Sequence, residues 1–230
     1  MKSVPRSERF DDVYFSAEDG LAETLHVFLE GNSLTARWED RDFRETFTIA
    51  ETGFGTGLNF LAAWELWSRL RVQNNPRRLE FTSVEKYPVN SGFIKDVLSG
   101  WQDEFGDLLM RFCDLYPVPK TGMHVIDVAE DVRLTLYIGD VAEVLPKIEA
   151  RVDAWFLDGF KPASNPEMWT ADVFAQMARL SHAGTSFATF TAAGEVRRGL
   201  QAAGFEVHKV QGFGRKRDML SGVFTGGVAS

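Results

Sequence analysis

Short apolar runs alternate with amphipathic segments along most of the chain. From residue 47 onward, runs rich in β-branched and aromatic residues are followed by segments whose apolar positions recur at helical spacing. This alternation is typical of a parallel sheet covered by helices on both faces. The predicted strands cover 47–51, 79–85, 152–159 and 185–191, and the predicted helices cover 58–70, 90–100, 166–180 and 193–204.

Two pairs of adjacent apolar runs depart from the alternation inside the core. Residues 205–213 and 218–225 predict an antiparallel hairpin that finishes the sheet at its C-terminal end. Residues 123–128 and 132–138 flank a short acidic turn and predict a second hairpin. We therefore expect an α/β fold with a mostly parallel sheet and antiparallel additions.

A third pair of apolar runs lies ahead of the core. Runs at 11–16 and 23–31 are separated by an acidic turn that ends in glycine, which predicts an N-terminal β-hairpin. No repeat, low-complexity tract or Pro/Ser-rich linker divides the chain. We expect a single domain over 1–230, with a β extension over 1–45 and a Rossmann-like core over 46–230.

Composition limits the classes of protein to which this chain can belong. It has 230 residues, and 44% of them are hydrophobic, which is enough for one sizeable core. No apolar run approaches the roughly 20 residues that span a bilayer, and the start lacks the apolar centre of a signal peptide. We expect a cytoplasmic protein with no membrane partner. Cys113 is the single cysteine and the four histidines lack zinc-site spacing, so we expect no disulfide and no metal.

Three glycines occupy every second position directly after the first predicted strand. Gly53, Gly55 and Gly57 lie between that strand and an amphipathic helix, where backbone N–H groups and the positive end of the helix dipole favour a nucleoside-type cofactor. A tight strand-to-helix turn without a ligand is the alternative. Together with Glu51 they spell E-x-G-x-G-x-G, which resembles the first motif of class I S-adenosylmethionine methyltransferases, whereas dinucleotide sites use G-x-G-x-x-G.

Three carboxylates end later apolar runs, at the edge where open α/β sheets bind ligands. In a fold of this kind, Glu85 would accept hydrogen bonds from ribose hydroxyls, Asp140 would meet the adenine amino group, and Asp158 would point toward the reacting methyl. Each is alternatively a solvated residue at the start of a loop. Asn59 and Lys86, which adjoin the glycine helix and Glu85, complete the predicted cofactor site.

Longer motifs narrow the resemblance to one family. The sequence is similar to the methyltransferase domain of the bifunctional bacterial enzyme that completes 5-methylaminomethyl-2-thiouridine at the wobble position of certain tRNAs. The similarity covers nearly the whole chain and is carried by FDDVYFS, ETGFGTGLNFL, SVEKYP, VDAWFLDGF, NPEMWT, ATFTAAGEVRRGL and GFGRKRDML.

The resemblance implies methyl transfer from S-adenosyl-L-methionine to the primary amine of 5-aminomethyl-2-thiouridine in tRNA. In that family an FAD-dependent oxidoreductase part exposes this amine, whereas this chain stops at Ser230 without a second glycine fingerprint. We expect either a stand-alone methyltransferase or a fragment, working with a separate FAD-dependent oxidoreductase. Lys161 also departs from the family pattern, in which alanine is expected, and adds a cation beside the site.

Candidate substrate contacts follow Asp158 and lie near the C-terminus. Asp158 is the expected catalytic residue: hydrogen-bonded to the amine, it would aim the lone pair and stabilise developing positive charge, although an aspartate with its ordinary pKa is a weak base for an ammonium ion. Phe160 is the candidate for stacking on uracil, whereas Met168 and Trp169 are alternatively core residues. The predicted tRNA contacts, which are alternatively a solvated charged face, are Phe160, Lys161, Arg197, Arg215, Lys216 and Arg217.

Two other functions remain compatible with the residues alone. An aminopropyltransferase of polyamine synthesis combines the same type of sheet, a glycine loop and an aspartate beside an amine. The GFGRKR motif has no evident role in such an enzyme. A non-catalytic module that binds the cofactor or a partner is the second alternative. Methylation assays on tRNA separate these hypotheses.

Overall fold

The computed structural model describes residues 6–7, 12–13, 19–40, 45–70 and 77–226. The strands are β1 (Arg6–Ser7), β2 (Asp12–Val13), β3 (Thr46–Thr52), β4 (Arg78–Glu85), β5 (Gly122–Ala129), β6 (Val132–Ile138), β7 (Val152–Leu157), β8 (Ser181–Thr189), β9 (Phe205–Gln211) and β10 (Asp218–Phe224). The α-helices are α1 (Gly20–Thr24), α2 (Leu34–Glu39), α3 (Leu58–Leu70), α4 (Ser91–Leu98), α5 (Gln102–Phe105), α6 (Asp107–Leu115), α7 (Val141–Val144), α8 (Ala171–Leu180) and α9 (Gly194–Ala202). A π-helical segment covers Leu25–Glu30, and 3-10 turns cover Ser99–Trp101, Leu145–Lys147 and Pro166–Trp169.

Eight strands form one mixed sheet in the order β5-β6-β4-β3-β7-β8-β10-β9. Strand β3 pairs in parallel with β4 and β7, and the parallel pairing continues through β6 on one side and β8 on the other. The chain therefore leaves β3 in one direction and returns to its other side with β7, which creates a topological switch point between these two strands. Both predicted core hairpins are confirmed, since β5 pairs antiparallel with β6 and β9 with β10.

Helices cover both faces of the sheet and divide the core into two layers. Strand β7 is buried along its whole length, and its residues alternate between the layers. Phe156 belongs to the layer formed with α3 and α6, whereas Trp155 and Leu157 belong to the layer formed with α8 and α9. A strand buried on both faces reads as a continuous apolar run, which is why the sequence predicts β7 and its neighbours correctly.

The N-terminal region differs from its prediction. The run at 23–31 is helical, not a strand: Asp19 caps α1 by accepting a hydrogen bond from the backbone N–H of Ala22 at 3.0 Å, and the helix continues into the π segment. Val27 and Phe28 are buried, and the Phe28 ring stacks on Phe156 with centroids 5.2 Å apart. The predicted hairpin is therefore wrong in its second strand, because packing against the sheet overrides a run of β-prone residues.

The first predicted N-terminal run lies mostly outside the described residues. Of 11–16, only Asp12–Val13 is described, and it pairs antiparallel with Arg6–Ser7. Within the described ranges, no helix combines the length and apolar character needed to cross a bilayer.

Candidate functional site

A cavity of about 650 Å³ opens at the carboxyl edge of the sheet, next to the switch point between β3 and β7. Its volume suits a nucleoside-sized ligand. The walls come from residues that follow β3, β4, β6, β7 and β8, together with α1 and the turn between β9 and β10. Strand-end residues that are distant in sequence therefore meet in one place, as the sequence pattern predicts.

The glycine loop is shaped largely by the protein's own atoms. Gly53 has φ of 92°, and a Cβ placed there would lie 2.2 Å from the backbone oxygen of Asp158. Gly57 has φ of 78°, and a Cβ there would lie 2.9 Å from the Phe54 ring. Gly53 and Gly55 line the cavity, whereas Gly57 does not. Two of the three glycines thus permit close packing of β3 against β7 and of the loop against aromatic side chains.

Asn59, in the first turn of α3, joins two carboxylates. Its Nδ2 donates to Glu51 Oε1 at 2.9 Å and to Asp158 Oδ2 at 2.7 Å. Its Oδ1 accepts a hydrogen bond from the Thr24 hydroxyl of α1 at 2.9 Å, and the Ser83 hydroxyl donates to the other oxygen of Glu51 at 2.7 Å. Asn59 and Asp158 line the cavity, whereas Glu51 lies behind them and is 1% exposed.

Burial changes the acidity of both carboxylates. Desolvation, strengthened by the charge of nearby Asp158, raises the pKa of Glu51 to about 8. Desolvation also raises the pKa of Asp158 to about 7, while the Asn59 hydrogen bond opposes this shift. With its pKa raised, Asp158 is a better proton acceptor in the folded protein than an ordinary aspartate. A cation bound in the cavity beside Asp158 would stabilise the charged form of this carboxylate.

The raised pKa of Glu51 should make the stability of the fold depend on pH. Because the pKa of Glu51 is raised from 4.5 to about 8, the unfolded chain loses this proton at lower pH than the folded protein. The free energy of unfolding should therefore fall as pH rises through this interval. In Glu51→Gln this contribution is absent, so the variant should gain stability relative to wild type from pH 5 to about 8, as measured by urea unfolding without ligands.

Asp158 and Glu85 have raised pKa values for the same reason, burial, so part of the slope should persist in Glu51→Gln. Glu104→Gln, at an exposed position on α5, is the matched control. A constant difference between Glu51→Gln and wild type across the pH range would contradict the prediction.

Glu85, Lys86 and Asp140 form the second side of the cavity. The Glu85 carboxylate accepts hydrogen bonds from the backbone N–H groups of Gly55 at 2.9 Å and Tyr87 at 2.6 Å, and burial raises its pKa. Lys86 Nζ lies 2.7 Å from Asp140 Oδ2, and this pairing lowers the pKa of Asp140. Asp140 also caps α7. These three residues therefore contact one another or the glycine loop, and all three line the cavity.

The predicted substrate residues divide into two groups. Phe160, Lys161, Lys216 and Arg217 line the cavity, whereas Arg197 on α9 and Arg215 are exposed and lie outside the lining. Met168 also lines it, and Trp169 donates from Nε1 to the Phe160 carbonyl at 3.1 Å. The partly buried Trp169 therefore braces the backbone of Phe160, which favours a structural role for the tryptophan.

Several residues that line the cavity are missing from the sequence-based prediction, among them Glu23, Thr24 and Phe190. Glu23 and Thr24 lie on α1, and Phe190 follows β8. The N-terminal pair was assigned to a strand, although Asp19 before a segment with apolar Leu21, Leu25, Phe28 and Leu29 is a helix-start signal. Phe190 has no local signal, because its position on the wall depends on the sheet order.

The chemistry of the lining fits a cationic nucleoside. Backbone groups and aromatic side chains surround the glycine loop, and the desolvated carboxylates of Glu85 and Asp158 face the same space. A sulfonium or ammonium ion would be stabilised there. Among the described residues, no group of three or more His, Cys, Asp or Glu side chains is placed to bind a metal ion. Fold and site together define a nucleoside-cofactor enzyme of the α/β methyltransferase class.

Comparison with known families agrees with this class. Residues 103–225 match the family described as S-adenosyl-L-methionine-dependent methyltransferase, and the chain belongs to this family. S-adenosyl-L-methionine is therefore its cofactor, which confirms the cofactor predicted from the glycine motif.

Individual relatives carry more specific names. The "tRNA 5-methylaminomethyl-2-thiouridine biosynthesis bifunctional protein MnmC" of Marinomonas sp. (strain MWYL1) is 48% identical over 98% of this chain and 33% of that protein. The protein of the same name from Methylobacillus flagellatus is 49% identical over 96% of this chain and 34% of that protein. This chain thus spans about a third of the length of these curated relatives. These matches favour neither an aminopropyltransferase nor a non-catalytic module.

A solved structure supports the fold. The crystal structure of MNMC2 from Aquifex aeolicus aligns with a TM-score of 0.78 at 21% identity, covering 98% of this chain and 68% of that chain.

Proposed function

We propose that this chain transfers a methyl group from S-adenosyl-L-methionine to the primary amine of 5-aminomethyl-2-thiouridine at the tRNA wobble position. The observation that carries this proposal is the Asp158 carboxylate, held by Asn59 at 2.7 Å on the wall of the cavity that contains the glycine loop. A desolvated carboxylate on this wall can accept a hydrogen bond from an amine that receives the methyl group. The names of the relatives supply the class of substrate.

The cofactor is assigned to the side of the cavity nearest the switch point. Glu85 and Asp140 are proposed to bind its ribose and adenine, while Gly53, Gly55 and Asn59 would hold its amino acid portion. When bound, the cofactor supplies an electrophilic methyl group on a positively charged sulfur. Glu51 acts through Asn59, because its carboxylate lies behind that side chain and holds the Nδ2 group in place at 2.9 Å.

Asp158 is proposed to orient the substrate amine and to receive its proton. An alkylammonium titrates near 10.4, and only the neutral amine has the lone pair that attacks the methyl carbon. The pKa of Asp158, about 7, reduces the mismatch with the ammonium ion compared with an ordinary aspartate. The positive charge of the bound cofactor would stabilise the carboxylate form of Asp158, and Asp158 would hold the amine by a hydrogen bond with its lone pair directed toward the methyl group.

The substrate reaches the cavity as part of an exposed RNA loop, so no duplex has to be opened. Phe160 is proposed to stack on the uracil, and Lys161, Arg197, Arg215, Lys216 and Arg217 to contact phosphates. With tRNA as its substrate, the enzyme is proposed to act in the cytoplasm. A separate FAD-dependent oxidoreductase activity, as the bifunctional name of the relatives suggests, is proposed to supply the amine.

The direct test is methyl transfer to tRNA. The protein should be incubated with labelled S-adenosyl-L-methionine and tRNA that carries 5-aminomethyl-2-thiouridine, followed by nucleoside analysis. We expect label in 5-methylaminomethyl-2-thiouridine and none with tRNA that lacks the aminomethyl group. Label on another base, or no label in any nucleoside, would refute the proposed substrate.

Arg197 and Arg215 are exposed and lie outside the cavity lining. Charge reversal at these two positions tests the proposed phosphate contacts. Arg197→Glu combined with Arg215→Glu should weaken tRNA binding, and each lost phosphate contact should reduce the magnitude of the slope of log affinity against log salt by about 0.7, the value for single strands. Affinity for the methyl donor should stay unchanged. Arg133→Glu, at the opposite end of the sheet where Arg133 pairs with Asp127, is the control. If both proteins show the wild-type salt slope, these arginines do not contact tRNA.

A further inference from the structure

An alkylammonium group already lies in a defined subsite of the cavity, and it belongs to the protein. Lys216 Nζ donates to Glu23 Oε1 at 2.6 Å and lies 4.5 Å from the centroid of the Phe190 ring. A carboxylate combined with an aromatic face is a standard means of binding a primary ammonium ion. All three residues line the cavity.

Glu23 and the lysine that occupies the subsite, Lys216, differ in how firmly the protein holds them. The Glu23 side chain is 14% exposed and belongs to α1, whose next residue, Thr24, is hydrogen-bonded to Asn59. The Lys216 side chain is 48% exposed and comes from the turn between β9 and β10. Glu23 is therefore fixed relative to the site, whereas Lys216 reaches it from the surface.

The subsite is electrostatically coupled to Asp158. The charge of Glu23 raises the pKa of Asp158, and the charge of Lys216 lowers it. All three groups line the same cavity, so their charges act on one another. A cation bound at Glu23 therefore lies in the same cavity as Asp158, the carboxylate to which we assign the amine.

We propose that Glu23 and Phe190 form the recognition site for the protonated aminomethyl group of the substrate, and that Lys216 occupies this site until tRNA binds. This inference rests on the proposed function. The substrate carries the same chemical group as a lysine side chain, a primary ammonium on a methylene carbon. Glu23 thus selects a cationic substituent on the base.

The location of Lys216 explains how it leaves. Its neighbours Arg215 and Arg217 are exposed cations in the same turn. Phosphates of a bound RNA offer Lys216 an alternative anionic partner, so that its departure from Glu23 is compensated. The exchange couples tRNA binding to the opening of the ammonium subsite, and the substrate ammonium then replaces Lys216 as the partner of Glu23.

The test compares binding of two tRNAs at pH 7, with the reacted cofactor S-adenosylhomocysteine present so that no transfer occurs. One tRNA carries 5-aminomethyl-2-thiouridine, and the other carries 2-thiouridine at the same position. Wild type should prefer the aminomethyl tRNA by about 10-fold, the scale of one hydrogen bond between charged groups. Glu23→Gln should abolish this preference without weakening the binding of the 2-thiouridine tRNA.

Lys216→Met separates recognition from a structural role of the ion pair. Without the competing lysine, this variant should keep or increase the preference for the aminomethyl tRNA. Lys209→Met removes a similarly exposed ion pair with Asp218 on the same hairpin and should behave like wild type. If Glu23→Gln retains the preference, or if Lys216→Met loses it equally, the inference is wrong.

Failure of this inference is distinguishable from failure of the proposed function. A wild-type protein that methylates aminomethyl tRNA but shows no preference in binding would overturn the ammonium subsite alone. A protein that methylates no tRNA would overturn the proposed function.

Discussion

Asp158→Ala is expected to lower single-turnover methyl transfer to tRNA by about 100-fold or more, the scale of losing one preorganised electrostatic group. The carboxylate is proposed to orient the amine and to receive its proton, and alanine does neither. Binding of S-adenosyl-L-methionine should remain largely intact, because the glycine loop, Glu85 and Asp140 are unchanged. Rapid-quench measurements with saturating donor and tRNA separate the chemical step from binding.

The control for this variant is Asp127→Ala, which removes an exposed carboxylate that pairs with Arg133 at the far edge of the sheet. It should transfer methyl groups at the wild-type rate. Near-normal turnover in Asp158→Ala would remove Asp158 from the mechanism. Loss of donor binding together with activity would assign Asp158 to the cofactor instead of the amine.

Gly53→Ala is expected to damage both stability and activity. The alanine Cβ would meet the Asp158 carbonyl oxygen at 2.2 Å, and φ of 92° is a conformation that alanine rarely adopts. Backbone hydrogen bonds fix both partners, since Gly53 N–H donates to Val84 O and Asp158 N–H donates to Thr52 O. The strain should cost on the order of 1–3 kcal/mol in unfolding free energy.

The activity of Gly53→Ala should fall by about 100-fold, since displacing a catalytic group by about 1 Å has effects of this size. Gly100→Ala is the matched control, because nothing lies within 4 Å of a Cβ there. It should match wild type in urea unfolding and in methyl transfer. If Gly53→Ala has wild-type stability and activity, the contact between the two strand ends is not important.

The order of strands and helices in the core could be predicted because it depends on local patterns. Buried parallel strands such as β3 and β7 read as continuous apolar runs, and α3 shows a helical pattern bounded by the glycine loop. The C-terminal hairpin was predicted from its two β-rich runs and the polar turn between them. These elements depend on residues that are close together in the sequence, so local sequence patterns predict them.

The N-terminal region shows where local patterns fail. The run at 23–31 is rich in β-prone residues, and a strand and a helix are both compatible with it. Its helical form depends on burial of Phe28 against Phe156, a contact between residues far apart in sequence. Glu23 and Thr24 line the cavity as part of this helical segment, so a strand predicted there misses both residues.

By itself, the sequence determined the class of fold, the carboxylates at the strand ends and the motif that marks the cofactor. Each of these is a residue type at a position within its own strand or loop. Only the tertiary structure decided that Gly57 packs against Phe54, that Glu51 lies behind Asn59, and that Glu23 pairs with Lys216 across the cavity. These arrangements, and the raised pKa of Asp158, depend on desolvation and on distances between elements remote in sequence, which no local pattern encodes.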